Sequence, residues 1–569
     1  MAFSATFLLA LRAVGAIVFV LAVRFLYKAY VQRSTMRALQ AQGIPLLPHS
    51  WIFGHLKIFG DWRAENPADA NIYSFHVWLI KNVKRYFPDR DFPPPVVYLD
   101  IWPVEVPFVV VFDPAMAAQF TQTPSFPKQS SIVDFLEPLT GGQDIVCAEG
   151  AEWKTWRSRF NPGFSQRNLI AMLPELISEV STFASQIAAK AGEGGKWGSM
   201  FQLEEKTTNL TFDVISMAAL GLRLNEQRRT EPSPLKEGML QLIEVMNSGA
   251  NVARALPIGR MPWQTAAAKR YNAMLRDALM PAIKTTLQGE SKDSQVKTIV
   301  ELAVKYVDQD DPSATREKPN AEFVDRLISN LKAFLFAGHD TTATTICFMM
   351  KHLQDKPACL DKMRAEHDAV LGPDPSKAEE VLRASPHLLY SLPYTLGVIK
   401  ETLRLNPLAA TMRHAPEGAV LVGADSTSTS YPVGGWAVWL SAPGVALHPD
   451  YWPRPNEFIP ERWTVPEGDP LHFPAATSAW APFSLGPRNC IGMELALIEL
   501  RIVAVFLARR FDIQEAWDEF DKQKQPSPDT PRQKVFNERL YWVGNGTVHP
   551  KDGMPVRVRL REHSSAVSA

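Results

Sequence analysis

The residues Phe483-Ser484-Leu485-Gly486-Pro487-Arg488-Asn489-Cys490-Ile491-Gly492 hold the densest chemical information in the sequence. Two glycines and a proline make a tight bend, and a strongly helical run starts at or just after Cys490. A cysteine at a helix N-terminus sits among unpaired N–H groups at the positive end of the macrodipole, and both stabilise a thiolate. Gly486 and Gly492 let the backbone come close to a flat, bulky partner. Phe483 can shield the sulfur from water, and Arg488 can neutralise an anionic group. The plain alternative is a buried cysteine ahead of a core helix, the commoner fate of a lone cysteine.

A second constellation is Ala337-Gly338-His339-Asp340-Thr341-Thr342, inside an apolar-periodic run from Leu331 to Leu353. On a helix, Ala337, Asp340, Thr341 and Thr344 share one face. A glycine inside a helix costs about 1 kcal/mol relative to alanine, so Gly338 implies that something approaches the backbone. A threonine hydroxyl bonded back to a carbonyl opens or bends the helix. An acid and an alcohol on such a face can relay protons to a bound ligand. Asp340 and Thr341 satisfying each other in a core helix is an equally open reading, and His339 reads as a core or solvated histidine. Three weaker pairings follow. Glu401 and Arg404 fall on one helical face, as do Trp153 and Arg157, and Arg462 lies in Pro460-Glu461-Arg462-Trp463.

Taken in order along the chain, these segments resemble the cytochrome P-450 family. The pattern F-x-x-G-x-R-x-C-x-G is complete from Phe483 to Gly492 and is similar to the family's haem-binding loop. Residues 337–342 are similar to its A/G-G-x-D/E-T-T/S motif, Glu401 and Arg404 to its E-x-x-R, and Trp153 and Arg157 to its W-x-x-x-R. Pro460 to Trp463 resembles its P-E-R-F element, with Trp463 in place of phenylalanine at a packing position.

The resemblance implies a mainly α fold with a smaller β part and a long central helix over the haem. It implies heme b (iron protoporphyrin IX) with Cys490 as the axial iron ligand. Trp153, Arg157, Arg413, Phe483, Gly486, Arg488, Ala337 and Gly338 would contact the cofactor, with Arg413 or a neighbour on a propionate. Asp340 and Thr341 would be the acid–alcohol pair that delivers protons to dioxygen, and Glu401, Arg404 and Arg462 a structural triad. The implied partners are NADPH–cytochrome P-450 reductase, cytochrome b5 as a further candidate, a hydrophobic small-molecule substrate and the membrane. The overall style is that of a fungal microsomal monooxygenase of secondary metabolite biosynthesis. Two competing readings keep the haem: a reductase-independent isomerase or dehydratase acting on a peroxide, and a non-catalytic haem sensor. The intact Asp340–Thr341 pair argues against the first, and the sensor would need neither Thr341 nor an anchor.

The elements that must position these residues are mostly helical. Apolar residues recur three or four apart in 169–187, 323–353, 396–405 and 493–511, whereas Val96 to Leu99 and Phe108 to Phe112 read as strands. Prolines in 43–48 make a stiff lead-in. The polar stretch from Gly289 to Asn320 reads as a surface connection around one short helix, and Asp521 to Arg539 as a charged excursion. Neither separates two self-sufficient segments, so residues 1–40 are expected to form an anchor and flank, and residues 41–569 one catalytic domain. The substrate pocket is expected to draw on 126–144, 240–257, Phe334, Ala337 and 408–411.

Composition excludes other classes. The 569 residues carry 60 basic and 60 acidic side chains, so no field favours nucleic acid. Four scattered cysteines are too few for a disulfide scaffold and form no zinc motif, which suits a reducing compartment. Ala2 to Val23 is apolar with Arg12 its only charge, enough for a spanning helix of roughly 20 residues. Arg12 costs roughly 2.5–3.5 kcal/mol on insertion scales. Arg24, Lys28, Arg33 and Arg37 then place the remainder on the cytoplasmic side. The bulky flank Arg24-Phe25-Leu26-Tyr27 argues against a cleaved signal peptide. A single-pass anchor in the endoplasmic reticulum membrane with a cytosolic catalytic domain is the expectation. The acceptor tripeptides at Asn209 and Asn545 are expected to stay unglycosylated.

Overall fold

The computed structural model describes residues 2–122, 124–250, 260–288, 296–305, 320–423, 429–473, 478–524, 533–544 and 546–561. Its first element, α1 (Ala2–Ala41), carries the apolar segment and its basic flank on one uninterrupted helix. The segment is long and apolar enough to cross a membrane, and its apolar window is unburied.

The last turns of α1 behave differently. Arg33 is 1% exposed and forms an ion pair with fully buried Asp100. It also donates to the carbonyls of Ile52 at 3.3 Å and Trp102 at 3.0 Å. His49 Nε2 closes on the other Asp100 oxygen at 3.0 Å. Met36 and Leu39 are buried with the sheet residues Val96 and Tyr98. The folded body therefore begins inside α1 near Arg33, ahead of the boundary expected at residue 40. Arg33 is not a flanking surface charge, and Arg37 donates to the His49 carbonyl at 3.0 Å. A sequence pattern displays the charges but not their distant partners. Beside this clamp, Phe25 packs on Trp102 and Tyr30 stacks on Trp51, while Trp51, Ile52, Phe53, Val104 and Val106 stay exposed.

The larger sheet is built from β1 (Val96–Leu99), β2 (Phe108–Val111), β3 (Met412–His414) and β4 (Ala437–Leu440), in the order β1-β2-β4-β3. β1 and β2 are antiparallel with Val96 opposite Val111, β2 and β4 parallel with Phe108 opposite Ala437, and β3 returns antiparallel with Arg413 opposite Val438. Every residue of β1, β2 and β4 is buried, which is why they read as continuous apolar runs rather than alternating ones.

Three smaller sheets and many helices make up the rest, and the helices that bear on the site are α2 (Pro114–Thr121), α3 (Gly150–Phe160), α4 (Leu203–Leu220), α5 (Ala321–Asp355), α6 (Pro393–Leu405) and α7 (Met493–Arg510). α5 is the 35-residue central helix, capped at its start by Asn320, whose side chain accepts from Glu322 N at 3.0 Å. α4 packs along it, and α7 is buried from Leu497 to Arg509, the all-round apolarity of an interior helix. The short helix Ile299–Val304 lies in the core, with Ile299 and Val300 fully buried, so this part of 289–320 is not a surface connection. Residues 289–295, 306–319 and 525–532 of the expected excursions fall outside the described residues. A C-terminal hairpin, β5 (Trp542–Val543) with β6 (His549–Pro550), reaches back to the Leu408 carbonyl through Val548 N at 3.1 Å. Asn209 is half-buried inside α4 and bonded by Lys236, which suits an unmodified side chain; Asn545 lies outside the described residues.

Candidate functional site

Cys490 closes the bend through its own backbone, its N–H donating to the Phe483 carbonyl at 2.8 Å, with Asn489 N on Gly486 O at 3.1 Å. Helix α7 starts at Met493, as the apolar periodicity of 493–511 suggests, so Cys490 lies just before the helix. The amides of Gly492 and Met493 still point at the sulfur. Burial raises the Cys490 thiol above its ordinary value, against the pull of those amides and of the Arg157 guanidinium. The expected anion cradle is present, but burial outweighs it, and a cation on the sulfur is what tips it to thiolate. The side chain opens toward the interior of the site rather than into packing, unlike buried Cys147, Cys347 and Cys359. Phe483 is half-buried with its ring 6.0 Å from that of Trp480. Gly486 has φ +74°, and a Cβ there would lie 2.5 Å from the Thr121 carbonyl at the end of α2. The positive φ and the close approach of the Thr121 carbonyl both require glycine here.

Cations gather above this loop. Arg413 is fully buried on β3 and donates to the Phe126 carbonyl at 3.3 Å, leaving Nε and Nη2 without partners. Arg488 pairs with Glu149 at 2.8 Å, sits 4.8 Å over the Trp153 ring and leaves Nη1 without a partner. Lys128, bridged to Arg413 through the backbone, was not legible as a site residue. Burial, then Arg413 and Arg488, lowers its ammonium to about 7. Burial and Arg488 lower Arg413 to about 10. Three cations against one carboxylate, with buried donors unsatisfied, fit an anionic ligand. Arg157 also has protein partners. It donates to Asn489 O at 2.8 Å, Asn489 Oδ1 at 2.9 Å and Asn161 Oδ1 at 3.0 Å, so it braces the cysteine loop from behind.

Opposite in sequence and role, α5 stays one unbroken helix through the motif, but side-chain donors take three of its carbonyls there. Thr341 Oγ1 donates to Ala337 O at 2.9 Å, Thr211 of α4 takes His339 O at 2.7 Å, and His339 Nδ1 takes Leu335 O at 2.6 Å. Side chains competing for three carbonyls loosen the local ladder. Ala337 is exposed and Thr341 half-exposed in an otherwise buried stretch. Asp340 is 6% exposed and, rather than bonding Thr341, faces His549 Nε2 at 3.4 Å. At Gly338 a Cβ would meet Ile215 of α4 at 2.7 Å, so the missing side chain lets the two helices pack closely. Phe334 likewise belongs to the core, 4.7 Å from the Phe160 ring and 5.4 Å from Phe164, and Leu240 points outward.

Glu401 of α6 binds Arg404 at 2.8 and 2.9 Å and Arg462 at 3.1 Å, with all three side chains at zero exposure. Trp463 does more than pack, its indole N–H donating to Glu401 Oε2 at 3.2 Å.

Residues 95–537 match the family model described as Cytochrome P-450. The cytochrome P-450 monooxygenase polC of Polytolypa hystricis is 35% identical over 94% of this chain and 93% of its own length. The cytochrome P-450 monooxygenase acrF of Aspergillus aculeatus is 30% identical, over 82% of this chain and 94% of its own. The crystal structure of the cytochrome P-450DA heme domain shares the fold, with a TM-score of 0.68 at 19% identity over 91% of this chain and 98% of that one. The chain belongs to the cytochrome P-450 family. It is a monooxygenase, and the family brings a haem cofactor.

Proposed function

We propose that this monooxygenase holds haem through Cys490 and oxidises a hydrophobic small molecule in fungal secondary metabolism, with electrons passed from NADPH by NADPH–cytochrome P-450 reductase. The observation that carries the reading is Cys490 itself, cradled by amides and Arg157 yet left open on one side. Relatives named as monooxygenases in Polytolypa hystricis and Aspergillus aculeatus support the reaction class. Apolar segments such as 408–410 suit an apolar substrate.

The haem supplies dioxygen activation, with thiolate donation favouring O–O cleavage. The chain supplies the rest. The amides of Gly492 and Met493 and the guanidinium of Arg157 stabilise the sulfur as an anion. Arg413, Arg488 and Lys128 would neutralise the haem carboxylates, and Phe483 keeps water from the sulfur. Thr341, whose hydroxyl rests on Ala337 O, can turn toward the exposed side of α5 at Ala337 and hold a proton there, and Asp340 replenishes it. The Glu401 triad fixes the scaffold. Residues from about 41 onward act as one catalytic domain. The apolar part of α1 anchors it in the endoplasmic reticulum membrane with the domain in the cytosol, where free cysteines persist.

The test is the reduced protein with carbon monoxide, which should show the red-shifted Soret band of thiolate-ligated haem, lost in Cys490→Ser. A histidine-type band overturns the reading. With reductase and NADPH, a panel of terpenes, polyketides and alkaloids should yield an oxygenated product; turnover of peroxides alone, without reductase, overturns the electron route.

A further inference from the structure

Asp340 does not stand alone behind Thr341. Its Oδ1 lies 3.4 Å from His549 Nε2, while Oδ2 is buried and has no partner. His549 Nδ1 is in turn 2.7 Å from Oε1 of Glu204, in the first turn of α4. The His549 and Glu204 side chains are 29% and 20% exposed and that of Asp340 7%, so the acid on α5 is the buried member of the three. They come from three distant parts of the chain: a helix start, the central helix and the C-terminal hairpin.

The hairpin is built to hold the ring there. A Cβ on Gly544 would lie 2.8 Å from the His549 ring, and Thr547 Oγ1 sits 3.5 Å from Nε2. The titratable and charged groups facing His549 are Asp340 and His339 of α5 and Glu204 of α4, with Cys347 beyond Glu204. Burial lowers the imidazole, but Asp340 and Glu204 together raise it to about 9. The ring is therefore an imidazolium at neutral pH, its Nδ1–H donating to Glu204 Oε1 and its Nε2 side in ion-pair contact with Asp340 Oδ1.

We propose that His549 is a positioning residue for the distal acid: bridging Glu204 and Asp340, it fixes Asp340 Oδ1 and leaves Oδ2 as the oxygen that takes up and hands on protons. This rests on the reading of Asp340 and Thr341 as the proton-delivering pair. Without His549, Asp340 loses its orientation and its neighbouring positive charge. Without Glu204, the ring titrates lower and releases Asp340 at a lower pH.

The test uses the haem-loaded full chain with reductase and NADPH, in Asp340→Asn, His549→Gln and Glu204→Gln, each checked for an unchanged reduced carbon monoxide spectrum. NADPH oxidation should fall roughly tenfold or more in Asp340→Asn and in His549→Gln. In Glu204→Gln the alkaline limb of its pH profile should move down by about one unit. Independently of turnover, NMR of the histidine-labelled ferrous carbon monoxide complex should place the His549 midpoint near 9, falling toward 6.5 in Glu204→Gln. If Asp340→Asn slows turnover but His549→Gln keeps the wild-type rate and profile, the inference fails and the role of Asp340 stands. If Asp340→Asn itself turns over normally, the distal-acid reading fails with it. A His549 midpoint near 6.5 in the wild type overturns the bridge even where His549→Gln does not load haem.

Discussion

Replacing Glu401 by glutamine keeps shape and volume but removes the one negative charge between two fully buried guanidiniums. Glu401 Oε1 accepts from Arg404 Nη2 at 2.8 Å, Ile459 N at 3.0 Å and Arg462 Nε at 3.1 Å. Oε2 accepts from Arg404 Nε at 2.9 Å and Trp463 Nε1 at 3.2 Å. Whichever way the amide turns, its NH2 faces donors, and the less costly choice strands Arg404 Nε–H and the indole. Breaking a buried ion pair costs about 3–5 kcal/mol, and an unpaired buried donor adds about 1 kcal/mol or more. The total, about 4–6 kcal/mol, is a large part of the 5–15 kcal/mol typical of a folded domain. Urea unfolding followed by far-UV circular dichroism should show the midpoint lowered by roughly 1–2 M, taking a slope of about 3 kcal/mol per molar. A midpoint shift under about 0.3 M would refute the reasoning. Trp463→Phe removes the indole donor together with part of its packing on Trp452, Phe473 and Trp480, and should cost at least about 1.5 kcal/mol, less when added to Glu401→Gln because the two share one carboxylate.

Lys128→Met removes one cation from the rim with Arg413 and Arg488, and should speed haem transfer to an apoprotein acceptor by roughly 10–100-fold, the worth of one charge-assisted bond. Gly338→Ala forces a methyl against Ile215 and should cost about 1–3 kcal/mol by thermal or urea unfolding, with the carbon monoxide spectrum retained. His549, raised from 6.5 to about 9, contributes stability that is fully present below pH 6.5 and disappears as pH rises through 9. The stability gap between wild type and His549→Gln should accordingly shrink by about 2–3 kcal/mol between pH 6 and pH 10.

Local chemistry was legible in the sequence where one stretch of chain makes the whole feature. The bend at 483–492, the helix turn at 337–342 and the strands at 96–99 and 108–111 need only neighbours a few residues away. What could not be read depends on what lies opposite. Gly486 and Gly338 were correctly singled out as close-approach positions, but that Thr121 O and Ile215 approach them is visible only in the fold. Arg157 has the expected spacing from Trp153, yet only the fold shows that Asn489 takes its donors. Lys128, Glu204 and His549 carry no local signature, since each gains its role from a partner far along the chain.

The clamp of Arg33 on Asp100 turns α1 from a tether into a mast. Between Val23 and Arg33 the helix rises about 15 Å at 1.5 Å per residue, with no loop to act as a swivel. In a bilayer the catalytic body would ride at that fixed height, and its azimuth would follow the tilt of the mast. The side that carries Trp51, Ile52, Phe53, Val104 and Val106 would then always be turned to the lipid. A greasy substrate leaving the bilayer would meet the same doorstep every time.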